Sequence, residues 1–543
     1  MTMAKFSKIY SRKIAKHIAA MVLVFVLAVL VGCSPSTTSS DAPIGSNSEN
    51  TGTDGNTSTV EIDPLEGDVS VDMEVETVVQ REDEGEIVPE TGTSQLSTKL
   101  TGVAEDEAIA LRDKILNTGN TEEYYKITGT KYYISPGGED TNSGTSPEEP
   151  FRTVDALSGI TFEEGDAVLF ERDSVFRITS AISTKKGVIY GSYGEGDKPK
   201  IYASGMNFAE AEWKPTQRKN IWRTMYIYDE AGCVVFNHGE EIGYRRTSVR
   251  NLTENLQFFQ SQEDGFLYLY CDKGNPAAIY DSIEVTADIR IFFIPSRSGD
   301  VVIDNLCLMY SSSFAVAGNY NCHNVTVTNC EIGYIGGYAR GGAVRLGNAI
   351  QMWTGIQGFK VENNWIYQTF DTAITWQGNG GEGFKYKDIS IKGNLLEYNH
   401  TDLEFWDSGA TLDGFTVSDN IFRFTQMGWG ARLNDGGIRG FDGAFYGSTN
   451  NMNIVGKITV KNNLIDSPGG RIFRWATKQG DWDKYFDVSG TRIYITEKYR
   501  YTNQVIRGTY GSGEISEDSF ANNADELKSA FQRIDPTIEA KWQ

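Results

Sequence analysis

The sequence predicts an all-β fold in which parallel strands stack as a solenoid. Five short segments between residues 348 and 476 alternate apolar and polar positions, as strands do, and their apolar faces carry Ile350, Ile374, Leu403, Trp429 and Phe473. A strand-like hexamer precedes each segment, and most of these hexamers hold Asn at the fourth place, namely Asn364, Asn394, Asn420 and Asn463. We expect these residues at one corner, where Asn tolerates a left-handed backbone and its amide can bond to the Asn stacked above. Short strands with Asn-marked corners in an irregular repeat indicate a parallel β-solenoid.

The composition supports a large β domain and argues against nucleic acid as a partner. The chain has 543 residues, of which 39% are hydrophobic, and its 57 Gly, 27 Tyr and 27 Phe favour turns and strands over helices. The formal net charge of −23 disfavours nucleic acid or any other polyanion. Much of this charge lies in a segment that we expect to be unfolded, so it says little about a site.

The N-terminus has the pattern of an export signal. Basic residues precede an apolar run over 18–31, which ends in the tetrapeptide LVGC (30–33). The tetrapeptide resembles the lipobox of bacterial lipoproteins. This resemblance implies that residues 1–32 are a lipoprotein signal peptide, that Cys33 is lipidated, and that the lipid anchors the mature protein to the extracytoplasmic face of the cell membrane. An uncleaved transmembrane anchor is the alternative, and both interpretations place the rest of the chain outside the cytoplasm.

Two segments separate the signal from the repeat. Residues 33–100 are rich in Ser, Thr, Gly, Asp and Glu, so we predict a disordered acidic tether. Residues 101–130 are predicted to hold an N-terminal helical cap, because acids open the helical stretch and Ala108, Leu111 and Ile115 follow at helical spacing. We expect this helix to cover the exposed strand edge at the open end of the solenoid.

The cysteines after Cys33 do not have the pattern of a disulfide-linked or zinc-binding protein. Their odd number and the absence of any CxxC pair argue against a disulfide framework and against a zinc site. Cys307 and Cys330 are expected in the core, one coil apart. A single disulfide that involves Cys322 stays open.

The region that opens the repeat resembles a known family. Residues 131–157 and 162–177 combine a strand, an Asn- and Gly-rich turn, a Pro-Phe pair and the strand GDAVLF. This run resembles the N-terminal coils of right-handed parallel β-helix carbohydrate-active proteins of the pectate-lyase-like superfamily, and most of all the β-helical glycoside hydrolases. The resemblance implies a right-handed parallel β-helix domain over 131–510 and a carbohydrate substrate. It aligns no catalytic residue, because the same fold also hosts pectate lyases, polygalacturonases and epimerases.

The predicted β-helix has one interruption and a distinct end. Residues 206–300 are rich in Tyr and in turns, which favours an antiparallel β insertion that walls one side of a groove. The period fades after Ala476. Residues 511–543 are predicted to form a C-terminal tail with a helical cap over 523–534.

The candidate active site lies on the outward face of the five aligned segments. Side chains two apart on a strand are separated by about 6.5–7 Å, so Asp402 and Glu404 are predicted side by side at a spacing that suits a glycosidase. We assign Glu404 as acid/base and Asp402 as nucleophile or base, with Asp371 in the preceding coil as the alternative. The substrate-binding candidates on the same face are Gln351, Trp353, Gln377, His400, Trp406, Arg432 and Arg474.

Each of these assignments has a structural alternative. Acidic pairs two apart are common on solvated strands, and tryptophan beside the pair is what favours function in this case. His400 is as compatible with a structural hydrogen bond to Asp371 as with proton transfer. For Arg432 and Arg474, surface salt bridges are favoured over substrate contact.

The sequence therefore predicts an extracellular, membrane-tethered glycoside hydrolase that acts as a monomer on an oligo- or polysaccharide, without metal or other cofactor. One alternative is a polysaccharide lyase of the same fold, which acts on a uronate-containing glycan, needs a basic residue and could use calcium. The other alternative is a non-catalytic glycan-binding surface protein.

Overall fold

Three long parallel sheets dominate the chain. The computed structural model describes residues 100–340, 344–431, 443–478, 480–509 and 518–543, and the predicted signal peptide, Cys33 and the acidic tether lie outside the described residues. Each coil contributes one strand to each sheet, and we call the sheets first, second and third in that order along the coil. Successive coils pair in parallel register, as Ile374 does with Leu403. This arrangement confirms the predicted parallel β-helix.

Within each sheet the strands follow one another in the order of the coils. The first sheet contains Lys131–Ile134, Ala167–Glu171, Ile189–Tyr193, Gly299–Asp304, Cys322–Thr328, Ile356–Glu362, Lys385–Lys392, Thr411–Ser418, Ile458–Lys461 and Phe486–Ser489, with Asn453–Ile454 also paired to Thr411–Ser418. The second contains Val175–Arg177, Lys200–Tyr202, Cys307–Met309, Glu331–Ile335, Trp365–Thr369, Leu395–Glu397, Ile421–Arg423, Leu464–Asp466, Arg492–Ile495 and Glu539–Trp542. The third contains Ile182–Ser183, Phe292–Ile294, Val316–Gly318, Ile350–Trp353, Thr372–Gly378, Thr401–Asp407, Gly443–Ser448, Arg471–Ala476, Gln504–Thr509 and the antiparallel Ser519–Phe520.

The hydrophobic core fills the space between the three sheets. In one coil, Val361, Ile366 and Ile374 face inward from the first, second and third sheets, and none of the three exposes any surface. Stacking continues this pattern from coil to coil, because each inward residue sits on its register partner. The rings of Trp376 and Phe405, for example, stack with centroids 5.5 Å apart.

An asparagine ladder forms the corner between the first and second sheets, as predicted. The Asn364 backbone N–H and side-chain Nδ2 both donate to Asn394 Oδ1, at 2.9 and 3.0 Å. Asn394 makes the same two bonds to Asn420, which repeats them to Asn463. All four side chains are buried. The left-handed backbone, however, belongs to the residue before each ladder Asn, at Asn363, Gly393, Asp419 and Asn462, where φ lies between 54° and 63°.

The turns from the second sheet to the third carry the large departures from the repeat. The predicted insertion enters after Lys200–Tyr202 and returns to the third sheet at Phe292–Ile294, earlier than the predicted 300. A later turn carries the hairpin Tyr338–Arg340 and Val344–Leu346. Because both excursions leave from the same corner, two coils apart, they lie along one side of the third sheet.

The insertion is a small β module with its own core. Its larger sheet runs through Tyr244–Arg245, Gln257–Ser261, Phe266–Tyr270, Ile221–Met225 and Lys214–Pro215, and its smaller sheet contains Glu241–Ile242, Val234–Phe236 and Ile283–Val285. Most of these pairings are antiparallel. Phe236 and Phe258 are fully buried between the sheets. The module packs through Val235 and Ile242 on tyrosines of the second sheet.

The N-terminal helix Glu105–Leu116 braces the side of the β-helix, so its predicted place at the open end is wrong. Its buried residues Ala108 and Ile115 pack on apolar side chains that the second sheet directs outward. Arg423, 2% exposed, bonds to Glu105 of this helical segment and donates to Glu397 at 2.8 Å. The helix takes this position because the outward face of the second sheet is apolar at Leu395 and Leu464. The N-terminal end of the core is covered instead by residues 151–162.

The C-terminal end continues the repeat further than predicted. The helix Ala524–Phe531 buries Leu527 and Phe531 against the core, which fits the expected cap. Beyond it, Glu539–Trp542 adds a last strand to the second sheet. Two short helices, Pro276–Ile279 and Asp481–Tyr485, complete the α-helices of the described residues.

The segment 427–432 is not the strand that the alternation predicted. Residues Trp429–Ala431 form a 3-10 turn, and the strand that follows Thr401–Asp407 in the third sheet is Gly443–Ser448. Trp429 therefore lies outside the core, with its ring 5.0 Å from that of Phe370. Its indole N–H donates to the Gln368 carbonyl at 2.9 Å. The strand at this level of the third sheet begins at Gly443, later in the chain than the predicted alignment placed it.

The five cysteines of the described chain are free and buried. Cys330 occupies the ladder corner, where its N–H donates to Asn364 Oδ1 at 2.9 Å. Cys307 faces outward from the second sheet among tyrosines, so it does not stack on Cys330 in the core. Among the described residues, no helix is both long enough and apolar enough to span a membrane.

We expect Asn394→Ala to lower the free energy of unfolding by about 1–3 kcal/mol, because the buried Asn364 N–H loses its acceptor. Urea denaturation followed by circular dichroism measures this loss. Lys392→Ala, at an exposed position two residues earlier, is the matched control and should change stability by less than about 0.5 kcal/mol. Equal effects of the two substitutions would contradict a stabilising role for the ladder.

Candidate functional site

The outer face of the third sheet holds the candidate site. Pairing register aligns a central row across successive coils, which contains Phe293, Ala317, Gln351, Thr375, Glu404, Tyr446, Arg474 and Arg507. A second row, two residues further along the strands, contains Trp353, Gln377, Trp406, Ser448 and Ala476. We call these two rows the floor. Its partly exposed strip runs through Glu404, Trp406, Tyr446 and Arg474.

Glu404 is held by two donors from neighbouring side chains. The Thr372 hydroxyl donates to Oε2 at 3.3 Å, and the Trp406 indole N–H donates to Oε1 at 3.3 Å. An indole N–H can only donate, so the carboxyl oxygen that it contacts must accept. The half-buried carboxyl is thereby fixed on the floor while part of it stays accessible. In the described floor rows, Glu404 is the only acid.

The predicted floor positions of Gln351, Trp353, Gln377 and Trp406 agree with the pairing register, while their contact with substrate stays a prediction. Trp353 and Trp406 form an edge-to-face pair with centroids 6.0 Å apart and planes at 84°. Gln351 Oε1 accepts a hydrogen bond from Asn348 Nδ2 at 2.6 Å. These contacts hold the floor side chains in fixed orientations next to Glu404.

Asp402 does not share the floor with Glu404, so the predicted acidic pair on one face is wrong. Its side chain is fully buried. The Asn399 side chain donates to Oδ1 at 3.1 Å, and the Thr425 hydroxyl donates to Oδ2. A carboxyl in this position cannot touch a ligand on the outer face, which removes Asp402 as the nucleophile.

The cause is a break in the alternation at the start of each third-sheet strand. Two consecutive residues are buried in the core there, as Ala349 and Ile350 are in one coil and Ala373 and Ile374 in the next. Asp402 and Leu403 occupy the same two places. Asp402 therefore takes an inward position that is small and apolar in the neighbouring coils, and it needs the hydrogen bonds from Asn399 and Thr425.

Burial also sets the protonation state of Asp402. Removal from water is the largest cause and raises the pKa of Asp402 to about 8, the nearby Glu397 raises it further, and the bonds from Thr425 and Asn399 oppose the rise. The carboxyl is thus mostly neutral at pH 7, which suits a core group better than a nucleophile.

Asp371 and His400 lie in the turns just before two neighbouring third-sheet strands. Asp371 is half-buried and directly precedes Thr372, the donor to Glu404. His400 is 1% exposed, and its Nδ1 lies 3.2 Å from the Thr401 hydroxyl. This placement favours a structural role for His400 over the predicted substrate contact. Asp371 stays partly accessible, one residue before the threonine that donates to Glu404.

Arg474 pairs with Tyr446, a floor residue that the alignment of the five sequence segments missed. Arg432 lies outside the described residues. Arg474 stacks on Tyr446, with its guanidinium carbon 4.9 Å from the ring centroid. Tyr446 lies between Glu404 and Arg474 in the central row. It was missed because 427–432 was aligned in its place, although the alternation in GAFYGS (443–448) matches a strand equally well.

No group of three or more His, Cys, Asp and Glu side chains within the described ranges is arranged to hold a metal ion. The residues around Glu404 are instead a threonine, tryptophans, a tyrosine and an arginine, which bind through hydrogen bonds and ring faces.

Comparisons with known proteins find distant structural similarity only. No family model matches the chain, and no curated protein sequence matches it. A solved structure of XylC with xylose is 11% identical, has a TM-score of 0.41, and is matched over 76% of this chain and 83% of that chain. GH136 lacto-N-biosidase from Eubacterium ramulus is 11% identical, with a TM-score of 0.34, over 78% of this chain and 69% of its own. A rhamnogalacturonan lyase is 10% identical, with a TM-score of 0.31, over 70% and 80%. Likeness at this level does not identify a reaction, which must come from the site.

We expect Asp402→Asn to flatten the pH dependence of stability. From about pH 4, the pKa of an unfolded Asp, to about pH 8, the folded protein holds a proton that the unfolded chain releases, so stability falls as pH rises. Relative to Asp402→Asn, the wild type should lose up to about 1.4 kcal/mol of unfolding free energy per pH unit in this window. Denaturant titrations at pH 5, 6, 7 and 8 measure the difference. Exposed Glu382→Gln serves as the control, and parallel slopes for wild type and Asp402→Asn would refute the assignment.

Proposed function

We propose that the protein is a glycoside hydrolase with Glu404 as its acid/base residue. The observation that carries the proposal is the setting of this carboxyl. It is the only acid in the described floor rows, it is held by the Thr372 hydroxyl and the Trp406 indole, and the edge-to-face tryptophan pair lies beside it. A fixed carboxyl next to accessible aromatic surface suits the protonation of a glycosidic oxygen, since sugar rings present C–H faces to aromatic rings.

Asp371 is the proposed second carboxylate. Glycosidases need a nucleophile or base at about 5–9.5 Å from the acid. Thr372 links the two acids, because its hydroxyl bonds to Glu404 and its backbone follows Asp371 directly. Asp371 thus replaces the buried Asp402 in the mechanism.

The substrate would lie across the third sheet. Trp406 offers a partly exposed ring for stacking, and the partly exposed guanidinium of Arg474 is suited to donate to hydroxyl oxygens. The floor fits an oligo- or polysaccharide better than a small metabolite, because its partly exposed strip crosses three strands, Thr401–Asp407, Gly443–Ser448 and Arg471–Ala476.

We also propose that the protein acts outside the cytoplasm as a monomer, anchored through lipidated Cys33. The support is the tetrapeptide LVGC after a basic and apolar N-terminal run. Labelled palmitate should be incorporated by cells that express the full chain and lost in Cys33→Ala. Label retained in that variant would exclude lipidation at this residue.

We expect Glu404→Gln to lower kcat on cleavable aryl glycosides by about 10²- to 10⁴-fold, because the general acid is lost while the shape of the side chain is kept. A panel of aryl glycosides and natural oligosaccharides, assayed on the chain from residue 100 onward, measures the rate. Glu382→Gln, an exposed acid in the turn after the strand Thr372–Gly378, is the matched control and should keep full activity. Unchanged turnover in Glu404→Gln, at an unchanged melting temperature, would overturn the assignment.

A polysaccharide lyase is the second candidate because the floor carries Arg474 stacked on Tyr446. A basic group beside a uronate could accept the proton that elimination removes. The same panel separates the two reactions, since a lyase gives an unsaturated product that absorbs in the ultraviolet and a hydrolase does not. The rate of a calcium-dependent lyase would also fall with a chelator. A non-catalytic binder would leave every glycan in the panel intact.

A further inference from the structure

A buried lysine and a buried asparagine meet at the corner between the first and second sheets. Lys198 and Asn305 lie two residues before the strands Lys200–Tyr202 and Cys307–Met309, which pair with each other, so the two residues are neighbours on adjacent coils. Lys198 Nζ donates to Asn305 Oδ1, and the two residues are 3% and 0% exposed. Because Oδ1 is bonded to the amide carbon Cγ, the amine nitrogen lies beside Cγ as well.

The surroundings of Lys198 favour its neutral amine. Within the described chain, Nζ hydrogen-bonds only to Asn305 Oδ1 and forms no ion pair. A buried ammonium with one acceptor for its three donors is costly. Burial is the largest cause that lowers the pKa of Lys198 to about 8, and the Arg172 guanidinium acts in the same direction, while Asp304 and Glu331 oppose both. The neutral amine is the nucleophilic form of lysine.

A buried carboxyl lies next to this pair. Asp304 directly precedes Asn305 and exposes no surface, and its Oδ1 accepts a hydrogen bond from Asn329 Nδ2 at 2.8 Å. The Thr121 hydroxyl lies near the carboxyl, but Oδ2 makes no well-aligned hydrogen bond among the residues that the structure describes. Burial raises the pKa of Asp304, and the nearby Lys198 opposes this rise. A buried carboxyl with one unoccupied oxygen can take up and return a proton.

The N-terminal segment covers the corner and fixes the amide of Asn305. Asn305 Nδ2 donates to the Gly119 carbonyl at 2.5 Å and to the Ser192 hydroxyl at 2.6 Å. The Arg172 guanidinium donates to the Thr118 carbonyl of the same segment. These hydrogen bonds hold the amide plane in one orientation toward the amine. The cover also keeps water from the amide carbon, which disfavours hydrolysis as a competing reaction.

We propose that Lys198 and Asn305 form an intramolecular isopeptide bond, with Asp304 as the proton carrier. The amine nitrogen attacks Cγ, the bond between Cγ and Nδ2 breaks, and Nδ2 leaves as ammonia. Asp304 carries one proton from the attacking nitrogen to the leaving nitrogen and returns to its starting state. The product is a secondary amide between Nζ and Cγ, so the reaction needs no oxidant and no cofactor.

The bond joins the two coils that flank the insertion. Lys198 and Asn305 are 107 residues apart in the chain, and the insertion lies between them. A covalent link that closes a long loop restricts the unfolded chain more than one that closes a short loop. The five cysteines of the described chain are free, so no disulfide supplies this restriction there. The inference is independent of the proposed function, because none of these residues lies on the floor.

Peptide mapping tests the bond on the full chain, purified and denatured before analysis. Proteolysis and tandem mass spectrometry should find a branched peptide that joins Lys198 to Asn305 and is lighter by one ammonia than its two parts together. The denatured wild type should also migrate faster in an SDS gel than Asn305→Ala, because the closed loop makes the chain more compact.

The variants assign the roles of the amine and of the carboxyl. Lys198→Arg and Lys198→Met should abolish the branched peptide. Asp304→Asn, which keeps an acceptor for Asn329, should lower the crosslinked fraction by at least about tenfold. Lys200→Arg, at a partly exposed position two residues along the chain, is the matched control and should leave the bond fully formed.

Separate linear peptides for Lys198 and Asn305 in the wild type would overturn the proposal. Loss of ammonia confined to the Asn305 peptide would also overturn it, since that result indicates ring closure of Asn305 onto its own backbone. An undiminished branched peptide in Asp304→Asn would reject Asp304 as the proton carrier. The wild-type peptides decide whether the bond exists, whether or not the variants fold.

Discussion

The structure depends on the hydrogen bonds that join every coil to the coils before and after it along all three sheets. A parallel sheet leaves no residue free to shift alone, because a slip of one position would turn its side chain to the opposite face. The ladder from Asn364 to Asn463 continues these hydrogen bonds at one corner, since each buried amide supplies both an acceptor and a donor to its neighbours. Because the corner between the first and second sheets repeats the same short turn, differences in turn length between coils occur at the other corners. The insertion and the hairpin Tyr338–Arg340 with Val344–Leu346 both arise from the second-to-third corner, beside the third sheet.

Two carboxyl groups on one strand show how the fold gives neighbouring acids different environments. Asp402 and Glu404 are two residues apart, yet one is enclosed with Asn399 and Thr425 while the other meets Thr372 and Trp406 on the outer face. The enclosed acid carries a raised pKa because water is excluded from it. The outer acid keeps access to a ligand. Proximity along the chain is therefore a poor guide to a catalytic pair when the strand starts at a corner.

Much of the fold could be predicted from local patterns, whereas the site could be predicted only in part. Ile350, Ile374, Leu403 and Phe473 stack as the alternation indicated, and so do the corner asparagines. The same alternation failed for Asp402, because each strand of the third sheet begins with two consecutive inward residues and a rule of period two has no place for them. It failed for Trp429 because the strand that pairs with Thr401–Asp407 begins only at Gly443. The position of the N-terminal helix could not be read from its own sequence, since it is set by apolar residues such as Leu395 and Leu464 that lie far along the chain.

The N-terminal segment, which includes the helix Glu105–Leu116, changes how the protein can unfold. Residues from Thr101 to Thr121 run lengthwise over the coils, from a contact with Tyr499 near the C-terminal end to a bond with the Ser192 N–H near the beginning. A solenoid whose repeats touch only their neighbours tends to fray progressively from its ends. In this chain the last coils cannot peel away without also breaking the bidentate pairing of Arg492 with Glu107 and the bonds from Val103 and Ala104 to Asp466. Distant repeats are thereby coupled, and collapse of the scaffold becomes a shared, all-or-none event instead of a gradual unzipping.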